Sequence, residues 1–168
     1  MKKIKFYTLF IISVFVCACT STYLEPQTKD IARLQLDNDS NSFLYLTVFK
    51  DSQTCTGWLR PNISGTNEEN LKQHQSTSIN IESYKVFTLF VDGRSRKNGL
   101  IEACSIAGTF LPIRNKYYIA KFSSENQECH LSMVRLEDKN GKTNEVSDES
   151  FKQREIVAGI TNNGSICK

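Results

Sequence analysis

Histidine is scarce in this chain: His74 and His130 are the only two in 168 residues. Acid–base catalysis and zinc binding both draw heavily on imidazole. The motifs that organise such chemistry are missing too. There is no Gly-x-Ser-x-Gly elbow, no His-Glu-x-x-His pair and no glycine-rich phosphate loop. Beyond residue 20, close cysteine pairs, the usual zinc signature, are also lacking. Cys55, Cys104, Cys129 and Cys167 stand 49, 25 and 38 residues apart. We therefore expect no catalytic residue, metal ligand or cofactor, and a chain that is not an enzyme.

Long apolar runs are absent after residue 20. Before it, Met1–Lys5 carries three lysines, and Phe6–Val16 is apolar but for Thr8 and Ser13. That order, basic then apolar, is the layout of a secretory signal. As a helix the apolar run reaches roughly 17 Å, well short of the ~30 Å hydrocarbon core. It is expected to be removed rather than to span.

The run closes on Val16-Cys17-Ala18-Cys19. This resembles the lipobox of bacterial lipoproteins: an aliphatic residue, a small residue, Gly/Ala/Ser, then Cys. Cys17 stands where Ala, Ser or Thr is usual. The resemblance implies that residues 1–18 are removed and that Cys19 receives the acyl chains. Thr20 follows the lipidated position where inner-membrane retention usually has Asp, which points to the outer membrane.

Cysteine parity bears on the same residue. Of the six cysteines, Cys17 leaves with the signal and five remain. An odd cysteine in an exported chain needs an explanation. Lipidation of Cys19 leaves four that can pair in an oxidising compartment.

Net charge of one sign is missing once processing is considered. The chain has 21 basic and 18 acidic residues, and removal of Lys2, Lys3 and Lys5 leaves 18 of each. A general nucleic-acid binder shows a basic excess, so no nucleic-acid partner is expected. The polar stretch from Thr20 to about Asp30, with Pro26, reads as a short tether (residues 19–30). Residues 31–168 read as one domain.

Within that domain the pattern is β. Ile31–Asp37 alternates, with Ala32, Leu34 and Leu36 on one face. Phe43–Lys50 puts Leu44, Leu46 and Val48 on one face and Phe43, Tyr45 and Phe49 on the other. Such β-branched and aromatic alternation suits strands. Further strands are expected over 55–60, 77–81, 85–91, 100–110, 116–123, 129–137 and 142–146. Asp92-Gly93 and Lys97-Asn98-Gly99 are expected to bound a loop, and Asn140-Gly141 to turn a hairpin. Residues 67–75 and 149–158 read as loop with short helix. The whole predicts an all-β immunoglobulin/transthyretin-like sandwich of about seven to nine strands.

The pairing of the four cysteines follows from how the strands connect. In a simple meander Cys104 and Cys129 would flank one strand, about 9.6 Å apart, beyond the ~7 Å limit for a disulfide. If the Pro112 corner carries the chain between sheets, they face each other across the core. Cys104–Cys129 with Cys55–Cys167 is the preferred pairing. Cys55–Cys104 with Cys129–Cys167 is its rival.

A second resemblance lies in Cys104 … Phe110-Leu111-Pro112 … Asn115-Lys116-Tyr117-Tyr118 … Phe122 … Cys129-His130-Leu131. It is similar to small proteobacterial lipoproteins, in which a cysteine strand leads to a Phe-x-Pro turn, a Gly-Lys-x-Tyr strand start and a second cysteine. Asn115 stands where Gly is usual. That resemblance implies fold and location, not activity.

The remaining candidates have plain structural explanations. His74 sits in a polar Lys-Gln-His-Gln loop. His130 adjoins Cys129, but a disulfide removes the thiolate. Arg94, Arg96 and Lys97 read as a solvated hairpin tip, with contact to lipid phosphate or an acidic partner as the alternative. Trp58 is expected beside a disulfide in the core. One of Tyr117 and Tyr118 is expected inward, with the other bonding the corner backbone. The expected function is a non-enzymatic envelope lipoprotein, held in the membrane by acyl chains on Cys19, that contacts another envelope protein. The alternative is an accessory lipoprotein of a secretion or conjugation system, or an immunity protein; a small-ligand binder or hydrolase ranks below both.

Overall fold

A computed structural model describes residues 21–62, 70–125, 128–157 and 167. Ten strands are present among them: β1 (Ile31–Asn38), β2 (Phe43–Asp51), β3 (Thr56–Leu59), β4 (Ser76–Glu82), β5 (Phe87–Lys97), β6 (Leu100–Phe110), β7 (Tyr117–Glu125), β8 (Glu128–Lys139), β9 (Lys142–Ser147) and β10 (Lys152–Arg154). They form two five-stranded sheets, ordered β4-β1-β7-β8-β9 and β10-β6-β5-β2-β3. The all-β sandwich expected from alternation is what forms.

The alternation sets which face is buried. Ala32, Leu34 and Leu36 of β1 and Leu44, Leu46 and Val48 of β2 all point into the space between the sheets. β1 lies inside its sheet, antiparallel to β4 and parallel to β7, with Leu34 opposite both Ile79 and Tyr118. Every other strand pairing is antiparallel.

A second cluster lies on the outer face of the β5-containing sheet. Phe49, Phe90 and Ala107 from three neighbouring strands are buried there, with Cys55 and Cys167, and Trp58 and Ile156 pack against them. Ile156 and Cys167 therefore cover part of that face, with Cys167 joined to it by the bond to Cys55. This explains why Phe87–Val91 is buried at five consecutive positions. A strand covered on both faces reads as a continuous apolar run instead of an alternating one.

The Asn98-Gly99 and Asn140-Gly141 pairs each turn a two-residue hairpin. Asn98 and Gly99 have φ of 51° and 82°, and Asn140 and Gly141 have 57° and 72°, as a type I′ turn requires at both positions. The Asp92-Gly93 pair does not turn. It lies within β5, with Gly93 opposite Cys104. Its glycine answers a packing need: a Cβ there would sit 2.8 Å from the Phe122 ring. The expected loop over 92–98 is thus strand to Lys97.

Residues 67–75 and 149–158, read chiefly as loop, contain no helix among the described residues. Leu71 is fully buried and makes a bridge with Leu44; residues 67–69 lie outside the described set. In 149–158 the chain forms β10, which pairs with Ala107–Thr109 at a sheet edge. Ten strands rather than seven to nine result, β10 being one that had no apolar pattern to announce it.

Candidate functional site

Four of the sequence-derived site residues meet as two disulfides. Cys104 on β6 bonds Cys129 on β8, and Cys55 bonds Cys167, each with Cα atoms 5.8 Å apart. β6 and β8 belong to different sheets, so Cys104–Cys129 ties the two layers together. The Pro112 corner makes this possible by carrying the chain across after β6. Tyr118 holds that corner: its ring is fully buried, and its hydroxyl accepts from the Ile113 N–H at 2.9 Å. One tyrosine therefore fills both roles that the alternation had divided between two. Tyr117 instead donates to Gln35 Oε1 on the outer face. Burial raises the Tyr118 phenol above its ordinary value, so it stays protonated.

Cys19, the expected lipidation site, lies outside the described residues. The chain next to it does not behave as a free tether. Arg60 N–H donates to Ser21 O at 3.1 Å, and Tyr23 N–H donates to Arg60 O at 2.9 Å. Thr22 thus pairs with Arg60 as a parallel bridge beyond the end of β3. The Tyr23 hydroxyl donates to Asn80 O at 2.9 Å, and the Asn80 amide donates to Glu25 Oε2 at 2.7 Å. Burial, then the nearby Glu25 and Glu82 charges, push the Tyr23 phenol up to about 12. Sequence reading missed this contact because one aromatic in a polar stretch carries no periodicity. Tyr23 was its only signal.

The other candidates are dispersed. His74 sits in a turn with φ of 54°. His130 borders an open cleft with Cys104, Cys129, Arg154 and Glu155. Its imidazole makes no hydrogen bond to a carboxylate among the described residues, and both neighbouring sulfurs are in the disulfide. General-base chemistry needs such an orienting partner. No group of three or more His, Cys, Asp or Glu is placed to hold a metal among the described residues. Trp58 packs beside Cys55–Cys167, as its spacing from Cys55 suggested. Arg94 is engaged: it pairs with Asp92 at 2.7 Å and stacks over Tyr45. Arg96 and Lys97 extend beyond it along β5.

The end of the sandwich near the Asn98-Gly99 turn has a second opening, of about 470 Å³, lined by Ser42, Ser95, Lys97, Glu102 and Ser124 among others. Its walls are polar and mixed in charge. No buried unpaired polar side chain points into it among the described residues. Among these residues, no helix is long and apolar enough to cross a membrane. No family model matches this chain, and no curated protein or solved structure does.

Proposed function

We propose that this chain is a membrane-anchored envelope lipoprotein without enzymatic activity, attached through acyl chains on Cys19. It presents a disulfide-braced β-sandwich for contact with another envelope protein. The observation that carries the reading is the state of the cysteines. Cys55, Cys104, Cys129 and Cys167 are consumed pairwise. Removal of residues 1–18 then leaves Cys19 as the single cysteine without a disulfide partner, at the position where the signal pattern ends. An exported chain with one odd cysteine requires a use for it, and thioether attachment of lipid supplies one.

The docked Ser21–Tyr23 segment sharpens the geometry of the anchor. Two Cα steps separate Cys19 from Ser21, which limits the span to about 7.6 Å. The folded domain begins almost at the acyl chains, closer than a tether running to Asp30 would allow. The neutral charge balance of residues 19–168 means that acyl chains, rather than a basic surface, supply the membrane affinity.

Metabolic labelling with palmitate tests the reading. Cys19→Ala is expected to lose the label and to release the domain from membranes. A Cys19→Ala chain that still labels, or a parent chain that never does, overturns it.

A further inference from the structure

Exposed sheet edges invite pairing with other chains unless they are short, charged or covered. Three of the four outer strands here are protected in one of these ways. β9 is exposed throughout and polar but for Val146. β3 has four residues, and Ser21–Tyr23 lies against its end. β4 alternates Ser76, Ser78, Asn80 and Glu82 with its buried residues, and Asn80 receives the Tyr23 hydroxyl.

The fourth edge is different. β10 covers β6 only at Ala107–Thr109. From Leu100 to Ile106, β6 is paired on its β5 side alone among the described residues. This open edge has no proline and one charge, Glu102. Leu100 and Ile101 are 73% and 75% exposed. The edge is bounded at both ends: Leu100 is the first residue after the Asn98-Gly99 turn, and Ala107 is where β10 begins to pair.

Opposite free charges mark those two ends. Arg96 and Lys97 lie cross-strand from Ile101 and Leu100. Glu155 follows β10 and borders the cleft beside Ser105 and Ile106. None of the three is in an ion pair among the described residues.

We infer that this edge pairs with the same edge of a second copy of the chain, antiparallel about a two-fold axis at Ala103. In that register Leu100 faces Ile106 of the other copy, and Ile101 faces Ser105. The two β6 strands join their sheets into one, as an isologous interface does. The covering strand β10 stops the overlap in each copy. The turn of each copy arrives beside the Glu155 end of the other, so Lys97 and Arg96 meet an acid with which they have no ion pair among the described residues of their own chain. An edge of this length buries less than the ~1,200 Å² of a standard stable interface. Association is therefore weak in dilute solution and rises with surface density when the chains share a membrane.

A nitroxide on Ala103→Cys, an exposed position, reads the pairing directly. Labels across one strand spacing of ~4.8 Å give strong dipolar coupling in concentrated, exported protein, and sedimentation shows a monomer–dimer equilibrium. The double variant Leu100→Lys, Ile101→Lys alters two solvent-facing side chains; its circular dichroism should match the parent while coupling is lost. Lys97→Glu weakens association several-fold, and adding Glu155→Lys restores it. A parent that stays monomeric without coupling at millimolar concentration overturns the inference, as does coupling that survives the double lysine variant. Neither measurement uses the lipid. The same result is expected with Cys19→Ala, so failure of the anchor reading and failure of this one are told apart.

Discussion

Single residues in this protein are constrained by what lies across the sheet from them. Gly93 is read from sequence as a turn residue, beside Asp92, and stands instead in mid-strand under Phe122. Adding a Cβ at 2.8 Å from an immobile ring forces the ring or the strand to move. Overpacking of this kind costs about 1–3 kcal/mol. Gly93→Ala is expected to lower the unfolding free energy by that amount, read as a lower midpoint in chemical unfolding. A midpoint equal to the parent would show that Phe122 yields freely. Tyr23 makes the second residue-scale case. Its phenol titrates at about 12 when folded, against 10.0 ordinarily. A raised folded value means that the stabilising contribution is complete below pH 10 and is lost as pH rises through 12. The parent is therefore expected to lose stability between these values, and Tyr23→Phe to lose less. Equal alkaline curves for the two would remove Tyr23 from the docked segment.

At the scale of elements, the two disulfides do different work. Cys104–Cys129 joins β6 to β8 across a sequence separation of 25, and Cys55–Cys167 spans 112. The second bond holds Cys167 in the cluster with Phe49, Phe90 and Trp58 on the outer sheet face. Double replacement of Cys55 and Cys167 by serine removes about 2–4 kcal/mol of constraint. It is expected to expose Trp58, with red-shifted emission and protease cutting after Ile156. Unchanged emission would mean that the outer cluster stands without the bond. Strands with one buried face were legible beforehand: β1 and β2 show their core residues at every second position. β10 was not, because Lys152, Gln153 and Arg154 are polar. It exists through backbone pairing with Ala107–Thr109, which leaves no trace in hydropathy. The loop expected over 92–98 failed for a related reason. Arg94 and Arg96 look like turn residues, but β5 stays paired with β6 as far as Lys97, and its charged side chains there are exposed from a strand.

For the molecule as a whole, two features were present in the sequence itself. The basic-then-apolar order of residues 1–16 and the β alternation need only local chemistry. Alternation at period two places Leu34, Leu36, Leu44 and Leu46 inside any sheet that forms. Tertiary structure decided what depends on distant partners. Four cysteines allow three pairings, and the crossing of the chain between sheets at Pro112 brings Cys104 to Cys129, which leaves Cys55 with Cys167. Tyr23 had no local partner and found Asn80, 57 residues away. Leu100 and Ile101 read as ordinary strand residues, and only the short reach of β10 leaves them exposed. Hydrophobic period is a property of neighbouring residues, whereas coverage of an edge depends on where a distant strand ends.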